Sequence, residues 1–333
     1  MNKKGITVAG SLVVDNYFLI ETYPEQGKLV NIQSEKMDIG GSGNLILDLA
    51  KLDSSLKVKV SAIIGKDNYG KFIKETLDKY PNVLQENITE EGNTSVTMVM
   101  NAQDNQQRTF FYLPASTDLY DESYIDWDLV DADIFHLEYL LLMEKIDATD
   151  PVYGTHGAKI LHDAKERNMK TSIDIVSEVS ERGRDIVQAA LKYTDYCTIN
   201  EVEAEMITGL SLLKDNELIE ENIHKALYEL ERLGVSTWAI IHSPTYSYGI
   251  DCQTKTIFKV KSLKLPKDYI KGSTGAGDAF CSGVLYAAYK GQGIEEGMRL
   301  GCACAACSLS EVSGTAGMRP YKEVLDVYQQ YSN

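Results

Sequence analysis

From residue 130 onwards the chain alternates short apolar runs with longer stretches of helical periodicity, and few architectures absorb that rhythm. Residues 134–137, 171–176, 196–199 and 237–241 read as strands. Helical patterns fill the gaps, running through residue 170, over 183–192, from Asn200, and over 224–233. Strands separated by whole helices pair in parallel, and their crossovers lay helices on both faces of the sheet. The first half agrees, with strands at 6–10 and 57–64 and helices that follow glycine turns at 40–43 and 65–70, the second ending near residue 80. The expected class is therefore α/β, with a mostly parallel central sheet. Ligands of such sheets bind beyond the carboxyl ends of the strands. Asp15, Gly40, Gly41, Glu138, Asn200 and Asp278 all fall at or just past predicted strands.

Two regions break the rhythm. Residues 17–39, and a pair of runs at 94–101 and 108–113 around a polar turn at 101–107, mix β-branched and aromatic residues with polar ones. They read as exposed strands of a sheet open to water on one face. Arg108 in that pair could meet an anionic or hydroxylated ligand, or be a solvated strand charge.

Composition narrows the function. The net charge of −16 argues against a nucleic-acid surface, which needs a basic face. It does not exclude a nucleotide site built from backbone donors, and its simplest effect is solubility. The apolar run at 6–12 is too short for a signal peptide core, and no long apolar segment exists, so a cytoplasmic protein away from membranes is expected. Cys302, Cys304 and Cys307 have the spacing of a metal motif, but on one helix their side chains do not converge on a tetrahedral point. They read as small buried residues of a packed helix.

The most informative stretch is Gly272-Ser273-Thr274-Gly275-Ala276-Gly277-Asp278-Ala279-Phe280, followed by an apolar helical pattern. Small residues leave the N–H groups of Gly275, Ala276 and Gly277 open to a close ligand. They sit where a helix start presents unpaired donors and partial positive charge, which suits a phosphate. A carboxylate beside a phosphate site is repelled by it, so Asp278 wants a reason. Either it takes the proton from a hydroxyl that attacks phosphorus, or it caps the helix. Gly40-Gly41-Ser42-Gly43-Asn44 is a second glycine turn feeding an apolar helix. There the glycines admit a ligand and Asn44 can bond a hydroxyl, or the turn is a tight connection. Asn200 and Glu203 are spaced as a capping box, or as polar groups set near phosphates.

These motifs resemble those of the ribokinase, or PfkB, family of ATP-dependent sugar and nucleoside kinases. The family signature reads like DTTGAGDAF where this chain has GSTGAGDAF. Gly40-Gly41 with Asn44 looks like its first signature, and Asn200 with Glu203 like its N-x-x-E element. The similarity covers nearly the whole chain, in the family's order. It implies a ribokinase-like three-layer α/β/α sandwich: a core from residues 1–12, 37–92 and 116–333, and a small β-sheet lid from 13–36 and 93–115. It implies Asp278 as general base and the Gly275, Ala276 and Gly277 amides as an anion hole. Asp15, Gly40, Gly41 and Asn44, with Glu138 and Arg108, would hold the acceptor. Asn200, Thr274, Gly275 and Gly277 would meet the nucleotide, and Glu203 would organise Mg²⁺ through water. ATP and Mg²⁺ are the implied cofactors, a sugar or nucleoside the implied partner, and the lid builds a dimer in some members.

Three departures qualify the resemblance. Gly272 replaces a family aspartate that often helps bind a monovalent cation, so a weak response to potassium is expected. Residues 242–249 lack the family's threonine and glycine-rich turn at the nucleotide. The Gly41–Asn44 segment is one residue short, and Val13 replaces a polar residue, which favours some sugar other than ribose. Sugar phosphorylation is thus the leading expectation. A nucleoside kinase and a non-catalytic sugar- or nucleotide-binding regulator are the alternatives.

Overall fold

The computed structural model describes residues 3–105, 107–177, 181–215 and 217–332. Met1, Asn2, Gln106, Glu178, Val179, Ser180, Asn216 and Asn333, which fall in stretches read above, lie outside them. Within that range the β-branched runs Ile6–Gly10, Val58–Ile64, Ile134–Leu140, Lys170–Ile175, Tyr196–Asn200 and Trp238–His242 form parallel neighbours in one large sheet. Val83–Glu90 adds a further parallel strand at one edge. Two antiparallel strands, Tyr246–Asp251 and Thr256–Lys261, close the other.

The helices cover both faces because each has one apolar stripe to bury. Ser42–Leu52, Asn68–Leu77, Ala276–Lys290, Ile294–Leu309 and Tyr321–Tyr331 share one core with residues such as Ile6, Val8 and Ile134. His156–Glu166, Glu181–Leu191, Glu201–Thr208 and Glu220–Leu233 share the opposite core with Ala9, Phe135 and Leu137. The result is a three-layer α/β sandwich, as the alternation of strands and helices led one to expect. Among the described residues no helix is long and apolar enough to cross a membrane. Cys302, Cys304 and Cys307 are free and buried in the Ile294–Leu309 helix, as small core residues.

A second sheet has the order Ile32–Gly41, Leu12–Ile20, Val96–Ala102, Arg108–Leu113. Its central pair is parallel and its outer pairs antiparallel. Leu12–Ile20 starts earlier than expected and is mostly buried, with Leu12, Val13, Val14, Tyr17 and Ile20 shielded from solvent. Only Ser11 separates it from the Ile6–Gly10 strand of the large sheet. Ile32–Gly41 runs across the expected boundary at residue 37 and passes directly into the Ser42–Leu52 helix. The two sheets are therefore joined by very short links.

The unexpected strands have simple causes. Val83–Glu90 pairs on one side only, so polar residues suffice along most of it. Residues 246–249, expected as part of a loop, extend the sheet as one arm of a hairpin. Gly249 packs there against Ile294 and Met298.

Candidate active site

Strand connections leave the large sheet in opposite directions between Ile6–Gly10 and Ile134–Leu140, which is where such sheets open a crevice. A cavity of about 980 Å³ lies there, between the two sheets and the helix that begins at Ala276. Gly275 precedes that helix at φ 75°, a left-handed conformation that glycine adopts without strain. A side chain there would also meet Gly314 Cα at 2.6 Å. The glycine thus lets two loops meet and turns the chain into the helix. The N–H groups of Gly275, Gly277 and Asp278 have no protein acceptor among the described residues. Ala276 N–H differs, making a long 3.4 Å bond to Ser273 O.

Asp278 sits in the first turn, 7% exposed, at the cavity wall. Asn44 Nδ2 donates to its Oδ2 at 2.9 Å, and the Tyr139 hydroxyl donates to its Oδ1. Burial raises its pKa above the usual carboxylate range, and those two donors partly offset the rise. It makes no cap bond to the helix, so the capping alternative falls away. Each carboxylate oxygen can accept more than one hydrogen bond, so both keep room for a hydroxyl.

The residues expected to meet the acceptor gather from the second sheet and the glycine turn. Asp15, Gly41, Asn44 and Arg108 line the cavity. Burial pushes Asp15 up to about 6, against hydrogen bonds from Thr97 and Tyr17. Gly40 stands behind it, and a side chain at that position would come 2.4 Å from the Asp15 carboxyl carbon. Gly41, at φ 59°, would place a Cβ 2.1 Å from Ser11 O. Its lack of a side chain lets the second sheet bend into the Ser42–Leu52 helix. Asn44 Oδ1 is buried without a protein partner.

Glu138 lies inside the Ile134–Leu140 strand rather than at its end, and it does not reach the cavity wall. It is fully buried, both its oxygens lack hydrogen bonds, and His136 Nε2 stands 3.3 Å from Oε2. Burial, then the charges of Asp278 and Asp174, raise its pKa well above the ordinary value. Carboxylate oxygens of Glu138, Asp174 and Asp278 lie within 4.8 Å of one another.

Asn200 and Glu203 form the capping box that their spacing foretold. Glu203 N–H donates to Asn200 Oδ1 at 2.9 Å, and Glu203 Oε2 accepts from Asn200 N–H at 2.8 Å. Both residues also line the cavity, so the cap and a ligand-facing position coincide. Burial pushes Glu203 up to about 7, with the Ser177 hydroxyl at 2.7 Å the strongest opposing influence. Thr274 lines the same wall, and its hydroxyl accepts from Arg108 Nη1. A Cβ at Gly272 would lie 2.7 Å from Arg108 Nη2 and 2.9 and 3.0 Å from the Val312 and Glu311 carbonyl oxygens, so backbone as well as the guanidinium crowds that position.

Several wall residues carried no local signal in the sequence. Tyr139, Asp174, Thr97 and His242 arrive from four separate strands, Ser177 follows the Asp174 strand, and they meet only in the folded chain. His242 stacks on Phe280 with ring centroids 4.9 Å apart, and burial pushes its pKa down to about 4, leaving it neutral.

Comparison with known proteins identifies the family to which the chain belongs. A sequence profile described as "pfkB family carbohydrate kinase" matches residues 3–320. The bifunctional protein HldE of Aliarcobacter butzleri is 26% identical over 297 residues, covering 86% of this chain but 56% of that protein. The chain thus spans little more than half the length of that relative. Adenosine kinase 1 of Arabidopsis thaliana is 22% identical over 250 residues, covering 72% of this chain and 68% of that one. The solved structure of Arabidopsis thaliana ribokinase complexed with ribose and ATP superposes with a TM-score of 0.79 at 20% identity, covering 98% of this chain and 99% of that one. A profile match of such extent, on a fold shared along its full length, makes this protein a member of the PfkB family of carbohydrate kinases.

Proposed function

We propose that the protein transfers a phosphoryl group from ATP to a hydroxymethyl group of a sugar. The observation that carries the proposal is the pairing at residues 275–278: unpaired N–H groups at a helix start, next to a buried carboxylate that faces the cavity. Asp278 would accept the proton of the attacking hydroxyl, held in place by Asn44 and Tyr139. The Gly275 and Gly277 amides, with Ala276 less available, would hold the oxygens of the group in transfer. Asp15, Gly41 and Asn44 would orient the acceptor, with Glu138 behind them, and Asn200 and Thr274 would face the nucleotide. The second sheet would serve as the lid that keeps water out.

Glu203 and Asp174 fit a divalent cation, being carboxylates on the cavity wall whose pKa is raised by burial and by the charge of Asp278, with Glu203 adding to the rise at Asp174. Mg²⁺, when bound, would screen the phosphate charge that these acids otherwise repel.

A nucleoside acceptor is the second reading. Phe110, Leu19, Val13 and Ala102 give the cavity an apolar stretch on which a base could lie. The test is ATP consumption with a panel of sugars and nucleosides, with Mg²⁺ withheld or added and potassium varied. Turnover with a sugar, dependent on Mg²⁺ and weakly responsive to potassium, is expected. Turnover confined to nucleosides selects the second reading. No turnover with any acceptor leaves a ligand-binding regulator.

A further inference from the structure

We propose that Asp48 is a positioning residue for the proposed base: its carboxyl group donates a hydrogen bond to Asn44 Oδ1 and so fixes which end of that amide meets Asp278. The inference rests on the kinase reading and adds to it a residue that does not line the cavity. Asn44, Asp48 and Lys51 follow one another at helical spacing along a single face of the Ser42–Leu52 helix. That face lies against residues 313–315. A side chain added at Gly314 would come 2.8 Å from Asn44 Oδ1, and Lys51 Nζ donates to Thr315 O at 2.6 Å. Asp48 stands between those two contacts. Helical side chains lean towards the helix start, so its carboxyl group lies over the turn that holds Asn44.

Donors are missing there. Asp48 is 0% exposed, and neither of its oxygens has a hydrogen-bond partner among the described residues. Asn44 Oδ1 is buried without one as well. Lys51 directs its ammonium to Thr315 O, and the buried Ser313 hydroxyl bonds neither group. An ionised carboxylate only accepts, so in that form Asp48 would leave a bare charge in the interior. A protonated one carries the single donor that Asn44 Oδ1 lacks. Burial favours that form and raises the pKa of Asp48 well above the usual range, with Lys51 opposing and Asp278 and Asp38 adding to the rise. The other titratable groups that feel Asp48 are Cys304 and Cys307 on the Ile294–Leu309 helix, Glu138 in the large sheet, and Tyr80 after the Asn68–Leu77 helix. None of these is a cation.

The amide carries the effect to the base. Asn44 Nδ2 donates to Asp278 Oδ2 at 2.9 Å. Turned over, the amide would set Oδ1 against the carboxylate, acceptor to acceptor. A donor fixed at Oδ1 excludes that orientation and polarises the amide, which strengthens its bond to Asp278. Asp48 itself exchanges no proton during turnover.

Asp48→Leu and Asp48→Asn provide the test, using the acceptor that the wild type turns over. Leucine fills the buried position without a donor. It should lower kcat by about 10-fold, the worth of one hydrogen bond, with both KM values within about 3-fold. The acid limb of the kcat/KM profile should move upwards, because Asp278 loses a donor to its ionised form. Asp48→Asn keeps a donor towards Asn44 Oδ1 and should recover most of the rate and the limb. Urea unfolding gives a reading free of activity. Asp48 is protonated in the fold but ionises in the unfolded chain above about pH 3.9, so its contribution to stability is lost as pH rises. The folding constant of the wild type relative to Asp48→Asn should therefore fall about tenfold per pH unit from pH 5 until Asp48 ionises in the fold. A constant ratio means an ionised Asp48 and overturns the proposal. Asp48→Leu with wild-type kcat and limb overturns it too, as does Asp48→Asn impaired as much as the leucine variant. Asp48→Ala stands in if leucine prevents folding. If the wild type turns over no acceptor, the kinase reading fails and the positioning role falls with it. Wild-type turnover with a constant folding ratio sinks this inference alone.

Discussion

As the proposed general base, Asp278 would face two demands that oppose each other. It must be deprotonated to accept a proton, yet burial favours its neutral form, and Asn44 and Tyr139 supply the hydrogen bonds that partly restore the charged one. Asp278→Asn is expected to keep ligand affinity within a few-fold while turnover drops by about 10³-fold or more, read by comparing calorimetry with steady-state rates. Near-normal rates would remove Asp278 from the chemistry. Tyr139→Phe takes one donor from the ionised carboxylate, so the Asp278 pKa rises further. Activity that needs the ionised form then fails at a higher pH, and the acid limb of the kcat/KM profile should move upwards. Asp15, Asp48, Glu138, Asp174 and Glu203 share the electrostatic field, so the limb reports the cluster rather than one residue. A limb that stays in place would mean that Tyr139 does not tune the base. Asp278 and its glycines were legible because they are contiguous in the chain. Tyr139 and Asp174 were not, because each joins the site only through strand pairing.

Among the secondary-structure elements, helix starts and strand ends carry most of the site. Asn200 illustrates how one spacing served two readings: it ends a strand, caps the Glu201–Thr208 helix, and still faces the cavity. The strands themselves are tied by Asp195, 2% exposed, just ahead of Tyr196–Asn200. It accepts from Lys165 and Lys170 Nζ at 2.9 Å each, from Thr171 N–H at 3.0 Å, and from the Ser236 hydroxyl at 2.8 Å. These partners hold its pKa well below the usual range even though burial acts the other way. Asp195→Ala leaves buried donors unpaired and should lower stability by about 2–4 kcal/mol at pH 7, measured by urea unfolding. A depressed pKa means stability that is complete above the unfolded value of about 3.9 and fades as pH falls below it. The gap between wild type and variant should therefore narrow below pH ~4. A constant gap would show that the ionised form is not what stabilises. The Val83–Glu90 strand escaped the sequence reading at this same level, since an edge position asks little of its side chains.

For the whole molecule, alternation of strand and helix made the three layers legible, while the second sheet showed only as polar, irregular runs. Its outer face explains part of that irregularity. Met37 stands across from Asn16, Asn16 from Met98, and Met98 from Phe111, with the apolar members of this row 38–49% exposed. Leu113 is 59% exposed on the same strand face. Such a patch is unusual on a monomer, and we propose that it joins two copies of the chain. Sedimentation should give a dimer for the wild type and a monomer for Met98→Glu/Phe111→Glu. A wild type that remains monomeric at tens of micromolar would dismiss the assembly.

Ser11 and Gly41, the short links between the sheets, have a consequence for engineering. Asp15, Thr97 and Arg108 all travel with the outer four strands, whereas Asp278 and its loop stay with the body. On the reading proposed above, grafting those strands from a relative with a different acceptor would exchange the wall that carries Asp15 and Thr97 and leave Asp278 in place. Such a chimera should inherit the donor's choice of acceptor while keeping the recipient's dependence on Asp278.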